Sequence, residues 1–162
     1  MTNIVAAGIK LDIGAGNVRH KKGYLTLDSN PDLSPNIVAT VPPIPLPDEV
    51  CLAVQASHFL EHLPDEVLPD LFREVWRILQ VGGEFEVICP YAFSHGAIQD
   101  PTHKSQWVIE KALYWTPHFS YLGYGYEDRF QLVWAEQTHD EIHFKLKKTA
   151  TREKCHCMFG EG

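Results

Sequence analysis

The sequence Lys10-Leu11-Asp12-Ile13-Gly14-Ala15-Gly16-Asn17 decides the fold of this chain. A short apolar run ends in an acid and is followed by two glycines one residue apart. This pattern predicts a buried strand, about residues 9–13, that ends in a sharp turn where a ligand can approach the bare backbone. Because open α/β sheets bind ligands beyond the carboxyl ends of their strands, we expect a binding site at this turn.

A second strand-like run follows the glycine turn. Residues 24–28 are predicted to form it, and it ends in Asp28. An acid at this position can accept hydrogen bonds from both hydroxyls of a ribose. The two strand ends together favour a nucleoside-containing cofactor, although a tight turn beside an ordinary surface acid would give the same pattern.

Two features of a dinucleotide-binding site are missing from this sequence, and their absence narrows the choice of cofactor. A dinucleotide site uses a third glycine and a full helix whose N-terminus holds a pyrophosphate. Here Arg19 stands at the third glycine position, and only residues 17–23 separate the turn from the second strand. That segment is too short and too polar for a crossover helix. A cofactor without phosphates needs no such helix, and S-adenosylmethionine (SAM) is one.

Composition limits the class of protein. The 162 residues are 44% hydrophobic and 22% charged, which is typical of a soluble globular chain. A net charge of −7 argues against non-specific binding to nucleic acid or to anionic membranes. The sequence contains no apolar run long enough to span a bilayer and no signal-like N-terminus, so we expect a cytoplasmic protein.

The chain length predicts a single domain over residues 1–162. We divide it into a cofactor-binding core at about 9–90, a substrate-side segment at about 91–126, and closing strands with a tail at 127–162. The central run 50–54 is apolar throughout, as expected for a strand covered on both faces. Further strands are predicted at 37–41 and 85–89, with an antiparallel pair at 130–135 and 142–147.

Two helices are predicted between these strands. Apolar residues recur at helical spacing from Val67 to Leu79, and Gly82-Gly83 would end that helix. Pro69 fits best as its first residue, after a separate short turn at 59–63. A second helix is predicted at about 106–114. The alternation favours an α/β, Rossmann-like fold: a mostly parallel sheet with helices on both faces and a C-terminal antiparallel strand pair.

The order of these signals resembles class I SAM-dependent methyltransferases, and most of all their small bacterial and phage-type branch with a nearly absent first helix. The likeness covers residues 10–115. It is carried by Leu-Asp-Ile-Gly-Ala-Gly at 11–16, the acid after the second strand, and three later segments, which are Ala-Ser-His-Phe-Leu-Glu-His-Leu at 56–63, Arg-Glu-Val-Trp-Arg-Ile-Leu-Gln-Val-Gly-Gly at 73–83 and Pro-Tyr-Ala-Phe-Ser-His-Gly-Ala-Ile-Gln-Asp-Pro-Thr-His-Lys at 90–104.

The resemblance implies a set of cofactor-binding residues. The glycine turn would lie under the methionine part of SAM, Asp28 would bind the ribose, and residues near the ends of the third and fourth strands would contact the adenine and the amino-acid tail. The implied set is Asp12, Gly14, Ala15, Gly16, Asp28, Ser29, Asn30, Thr40, Val41, Ser57 and His58.

Two positions depart from the family pattern. Thr40 stands where an acid often binds the adenine amine, and Leu52 stands where the entry to the fourth strand often carries an aspartate. A hydroxyl at Thr40 can still form a hydrogen bond. These departures keep open a non-catalytic domain of the same fold that binds SAM or a partner.

Candidate catalytic residues cluster after the fourth and fifth strands. An oxygen nucleophile needs a nearby base, usually a histidine or a carboxylate. The candidates are His58, His62, Tyr91, Asp100 and His103, with Glu61 beside them. Glu61 and His62 are also compatible with a helix start, and Asp100 with a turn cap, so His103 has the better claim to act on substrate.

We predict no metal site. His58-x-x-Glu61-His62 matches an inverted zinc-protease motif, but it directly follows a strand, and Pro64 lies too close for a well-formed helix. Cys155-His156-Cys157 lacks the paired spacing of a zinc site. Cys51 and Cys89 lie in apolar strands, where a thiol behaves as a small hydrophobe.

The function that these patterns favour is methyl transfer from SAM to an unidentified acceptor, which could be a small molecule, a glycan or another class. An aromatic-rich region at 114–126 would form a lid over a planar or sugar substrate, or pack a loop onto the sheet. A nicotinamide oxidoreductase is disfavoured by Arg19 and the missing helix. The sequence leaves the oligomeric state open.

Overall fold

Strands β1 (Ile9–Ile13) and β4 (Cys51–Ser57) are adjacent in the middle of the sheet, and Leu11, Ile13 and Val54 are buried within them. The computed structural model describes residues 8–17, 21–124 and 130–150, apart from the side chains of residues 120 and 121. The other strands are β2 (Leu25–Asp28), β3 (Ile37–Val38), β5 (Leu79–Pro90), β6 (Phe130–Gln137) and β7 (Glu141–Lys148).

The seven strands form one sheet in the order β3-β2-β1-β4-β5-β7-β6. Strands β1 to β5 pair in parallel, whereas β7 pairs antiparallel to both β5 and β6. The predicted fold class, a Rossmann-like sheet that ends in an antiparallel pair, is therefore confirmed. The strand order reverses between β1 and β4, because the chain first builds outward from β1 on one side and then crosses to the other.

Helix α1 (Leu68–Ile78) supplies much of the core. Its apolar face is fully buried, through Leu68, Leu71, Phe72, Val75 and Ile78. Pro69 is its second residue, in the first turn where no amide hydrogen bond is lost. The prediction that Gly82-Gly83 ends the helix was wrong: β5 begins at Leu79, because buried Leu79 already pairs with Cys51 of β4.

The segment after β5 differs from the sequence prediction. Helix α2 (His95–Gln99) is short, and the predicted helix at 106–114 does not form. The Trp107 carbonyl accepts a hydrogen bond from the Ala92 amide at 2.8 Å, which holds residue 107 in a bridge beside Tyr91. Only 3₁₀ turns follow, over Ile109–Trp115 and Pro117–Leu122. Strand β3 is also shorter than the predicted run 37–41.

Further 3₁₀ turns lie at Pro31–Leu33, Leu60–His62 and Asp65–Val67. The second of these agrees with the short turn predicted over 59–63. In the part of the chain that is described, no helix has the length and apolar character that crossing a bilayer requires.

Candidate functional site

A cleft of about 630 Å³ opens where the strand order reverses, beyond the carboxyl ends of β1 and β4. Ligands bind at this point in open α/β sheets. Residues of three neighbouring strands and of the glycine turn form its walls. They are Asp12, Gly14, Ala15, Gly16, Asn17, Lys21, Gln55, Ala56, Ser57, His58, Glu86 and Ile88.

The glycine turn is tied to the acid at the end of β2. The Gly16 amide donates a hydrogen bond to Asp28 Oδ2 at 2.8 Å, and the Asn30 amide donates to Oδ1 at 2.9 Å. The Ala15 amide donates to the Leu27 carbonyl at 3.1 Å. The two stretches that the sequence marked as one site are therefore in contact. A carboxylate has about four lone-pair sites, so Asp28 retains capacity for further donors.

The two glycines of the turn meet different surroundings. Both have left-handed backbone angles, with φ of +63° at Gly14 and +59° at Gly16. A Cβ at Gly14 would come within 2.0 Å of the Phe59 ring, whereas a Cβ at Gly16 would have only the Gly14 oxygen near it, at 3.9 Å. Gly14 is thus required by the packing of Phe59, and Gly16 leaves open space at the cleft.

A smaller cavity of about 120 Å³ lies on the other side of Gly14. Asp28, Ser29, Thr40 and Val41, all implied cofactor residues, line it together with Phe59. Asn30 lines neither cavity. Its side-chain oxygen instead accepts a hydrogen bond from the Asp32 amide at 3.0 Å and caps the 3₁₀ turn there.

Two acidic side chains line the large cleft, and of these only Asp12 was predicted from the sequence. Asp12 is 4% exposed at its floor. Glu86, which was not predicted, lies 3.1 Å from Lys21 Nζ and 3.0 Å from His143 Nε2. Burial opposes the charge of Glu86, but the hydrogen bonds from Lys21 and His143 outweigh it and lower its pKa. Since these partners come from remote segments, no local sequence signal could have revealed them.

His58 stands between the cleft and a second cavity of about 350 Å³ and lines both. Its φ of +52° is unusual for a residue with a side chain, and such outliers concentrate at functional sites. Its Nε2 lies 3.0 Å from Glu141 Oε1 and its Nδ1 lies 3.5 Å from Glu61 Oε1. The nearby Glu61 carboxylate is the main cause of a raised His58 pKa, partly opposed by burial.

The second cavity brings together most of the predicted catalytic candidates. His58, Glu61, His62, Asp100 and His103 all line it. Tyr91 does not; its ring packs edge-on against Phe93, with 5.5 Å between ring centroids. Asp100 accepts hydrogen bonds from the Thr102 hydroxyl at 2.7 Å and the Thr102 amide at 2.8 Å. Those hydrogen bonds lower the Asp100 pKa and fit the turn role that the sequence allowed.

Solved structures with the same architecture share little sequence with this chain. A SAM-dependent methyltransferase from Archaeoglobus fulgidus is 18% identical, with a TM-score of 0.62 over 87% of this chain and 86% of that one. One from Mesorhizobium loti is 13% identical, with a TM-score of 0.61 over 86% and 90%. The chain has the class I methyltransferase fold. No protein-family profile and no curated protein sequence matches it.

One structure with this methyltransferase fold was solved with its cosubstrate. It is a 16S rRNA (adenine(1408)-N(1))-methyltransferase W203A mutant with SAM from Catenulisporales acidiphilia, 12% identical, with a TM-score of 0.56 over 89% of this chain and 86% of that one. At this identity the likeness concerns the fold and leaves the acceptor unassigned.

The aromatic-rich region at 114–126 has two described parts. Trp115 is buried and stacks on Phe72, with 3.9 Å between ring centroids, so it serves the core. Tyr114 stacks near Phe119 and Tyr124 at 4.5 Å and 6.1 Å between centroids. The Tyr121 side chain, Tyr126, Gly125 and the tail with Cys155-His156-Cys157 lie outside what the structure describes.

Proposed function

We propose that this chain is a SAM-dependent methyltransferase of the small bacterial and phage-type branch, with SAM lying across the glycine turn and Asp28. The observation that carries the proposal is the 2.8 Å hydrogen bond from the Gly16 amide to Asp28, at the reversal of strand order. This hydrogen bond joins the glycine turn, where no side chain blocks a ligand, to an acid that can accept hydrogen bonds from ribose hydroxyls. The fold shared with SAM-dependent methyltransferases supports the same cofactor.

The charges around the cleft fit a cofactor without phosphates. A pyrophosphate would face the carboxylates of Asp12 and Glu86. Among the described residues that line the cleft, Lys21 is the only lysine or arginine, and Glu86 already pairs with it. SAM carries an ammonium and a sulfonium instead, and an acidic cleft attracts such cations.

Four of the predicted cofactor residues would then have separate tasks. Asp28 would accept the ribose hydroxyls with its remaining lone pairs. Thr40 and the Val41 backbone border the smaller cavity, where the adenine would lie. Asp12 would face the cationic end of the cofactor. When bound, SAM supplies an electrophilic methyl group, so the protein's main contribution is to hold the acceptor in line with it.

The second cavity is the natural place for the methyl acceptor, because His58 lines both this cavity and the cleft. His62 and His103 lie there as candidate bases for an acceptor that must lose a proton. Their rings are in edge contact, with 4.8 Å between centroids. The acceptor could be a small molecule, a glycan or another class, and the cavity of about 350 Å³ suits a compact group.

Labelled-methyl transfer tests the proposal. The full chain would be incubated with methyl-labelled SAM and a lysate separated into protein, nucleic acid, glycan and small-molecule fractions. We expect label in one fraction, lost with Asp28→Ala and retained with Asp32→Ala, an exposed acid of the neighbouring turn. Tight SAM binding without transfer to any fraction would instead support a non-catalytic SAM-binding domain. The presence of Thr40 where the family often has an acid is compatible with that alternative.

A further inference from the structure

The second cavity contains a three-residue cluster that methyl transfer by positioning alone does not require. One ligand atom from each of Glu61, His62 and His103 lies within 4.8 Å of the others. Glu61 and His62 follow β4, and His103 follows β5, so adjacent parallel strands bring them to the same edge of the sheet. We propose that these three side chains bind a divalent first-row transition-metal ion.

The state of the Glu61 carboxylate is the strongest reason. Glu61 is 2% exposed, and neither carboxylate oxygen has a hydrogen-bond partner among the described residues. His58 Nδ1, at 3.5 Å from Oε1, is beyond the usual range of a strong N–H···O bond. A buried carboxylate whose oxygens accept no hydrogen bond is costly, and a bound cation would lower that cost.

The hydrogen bonds of the two histidines leave Nε2 as the ligand atom of each ring, and His103 Nε2 also lies 3.7 Å from Asp100 Oδ2. His103 Nδ1 lies 3.0 Å from the Ala97 carbonyl, which can only accept, so Nδ1 carries the proton. His62 Nδ1 lies 3.0 Å from Thr102 Oγ1, whose own proton goes to Asp100 Oδ1 at 2.7 Å. In the neutral rings, both Nε2 atoms therefore hold a lone pair. Hydrogen bonds of this kind orient histidine ligands in metal sites.

The backbone holds the two ligand segments together. The Glu61 carbonyl accepts hydrogen bonds from the Lys104 amide at 2.7 Å and the Ser105 amide at 3.1 Å. Ser105 Oγ also donates to the Leu60 carbonyl at 3.0 Å. These hydrogen bonds join the two residues that follow His103 to Glu61 and to its neighbour Leu60. The cluster is thus built on a fixed frame, as ligand sites require.

The donor set indicates the class of metal. Two imidazoles and one carboxylate suit zinc, cobalt, nickel or ferrous iron, whereas magnesium prefers oxygen ligands. Ligand atoms of a tetrahedral zinc site are roughly 3.3 Å apart, so modest side-chain rotations would close the cluster. The motif His58-x-x-Glu61-His62 directly follows a strand and has Pro64 close behind it, which left no helix for the usual zinc arrangement; here His103 takes the place of His58 as the third ligand.

Three protein ligands leave a coordination position for water or for a substrate oxygen. Because His58 lines both cavities, such an oxygen would adjoin the cofactor cleft. That last role rests on the proposed function, whereas metal binding itself does not. With the metal bound, His62 and His103 are ligands and no longer candidate bases.

Titration with Co²⁺ and competition by Zn²⁺ test the site without any cofactor. The full chain would carry Cys155→Ser and Cys157→Ser to remove thiolate binding at the tail. We expect one equivalent of Co²⁺ per chain, with a visible spectrum of nitrogen and oxygen ligands. His103→Ala and Glu61→Gln should each weaken binding at least tenfold. His118→Ala, which changes an exposed histidine outside the cavity, should leave binding unchanged.

Three results would overturn the proposal. The first is the absence of Co²⁺ and Zn²⁺ binding, and the second is binding by His103→Ala and Glu61→Gln that is as tight as in the parent. The third is a loss in His118→Ala as large as in those two variants, which would mark adventitious surface binding. Circular dichroism confirms that each variant is folded, and His62→Ala replaces any variant that is not. Calorimetry with SAM on the same protein is read separately, so metal binding and the proposed function can fail independently.

Discussion

The large cleft beside the glycine turn and the second cavity share His58. The acid bonded to that turn, Asp28, and the acid of the second cavity, Glu61, have opposite surroundings. Both oxygens of Asp28 accept hydrogen bonds from the backbone of the glycine turn and its own loop. Both oxygens of Glu61 are buried without such a partner in the described part of the chain. An acid satisfied by backbone holds its site in shape before a ligand arrives. An acid left unsatisfied indicates a cation that the protein itself does not supply.

The largest expected effect comes from filling the glycine turn. Gly14→Ala forces a Cβ into the Phe59 ring and keeps a left-handed φ, whereas Gly23→Ala keeps a similar φ of +86° with nothing within 4 Å. Strain of about 1–2 kcal/mol applies to both, and overpacking adds about 1–3 kcal/mol at Gly14 alone. We expect a thermal midpoint roughly 10 °C lower for Gly14→Ala and a much smaller fall for Gly23→Ala.

The double variant Gly14→Ala with Phe59→Ala sharpens that comparison. Measured against Phe59→Ala alone, Gly14→Ala should cost less than it does in the parent, because the ring that the new Cβ would strike is gone and mainly the backbone strain remains. Equal melting of Gly14→Ala and Gly23→Ala in thermal denaturation would contradict the close packing of Phe59 on the turn.

The next effect concerns the wall of the smaller cavity. Glu74 accepts a hydrogen bond from the Ile44 amide at 2.9 Å, and Arg77 donates to the Ile44 and Leu46 carbonyls at 2.9 Å and 2.8 Å. The two side chains thus fix the proline-rich segment that follows Val41. Glu74→Gln should lower the free energy of unfolding at pH 7 by about 1–2 kcal/mol.

The pH dependence of this variant has a definite sign. The hydrogen bond from Arg77 lowers the Glu74 pKa below its ordinary value of 4.5. Its contribution is therefore present above that value and is lost as the pH falls through the lower folded pKa. Denaturant melts should show the gap between parent and Glu74→Gln closing in acid. A gap that is independent of pH would rule out this ion pair as the cause; Glu66→Gln, an exposed acid, is the control.

The smallest expected effect tests whether the Glu61 carboxylate, unlike that of Asp28, is buried without a hydrogen-bond partner. With metal removed by a chelator, Glu61→Gln should melt at the same temperature as the parent or up to a few degrees higher, because it removes a buried charge whose oxygens accept no hydrogen bond. If His58 already balances Glu61, the variant should melt lower. Glu141→Gln, at the exposed partner on the other side of His58, gives the size of a simple loss of that contact.

Local signals predicted β1 and its contact with the acid that ends β2, and tertiary contacts decided much of the rest. The bounds of β1 agree with the prediction because apolar residues, an acid and glycines follow one another directly. The burial of Glu61 and its meeting with His103 depend on segments that follow two different strands, which no local spacing encodes. The wrong helix at 106–114 has the same origin, since the Ala92 amide fixes Trp107 from outside that segment.

Calorimetric titration of the full chain with SAM tests the central claim most directly. We expect one SAM to bind per chain, NAD not to bind, and Asp28→Ala to lose roughly 30- to 160-fold in affinity, as expected for charge-assisted hydrogen bonds worth about 2–3 kcal/mol. Asp32→Ala should bind as the parent does. Tight binding of NAD without SAM, or an unchanged SAM affinity in Asp28→Ala, would contradict a cofactor held between the glycine turn and Asp28.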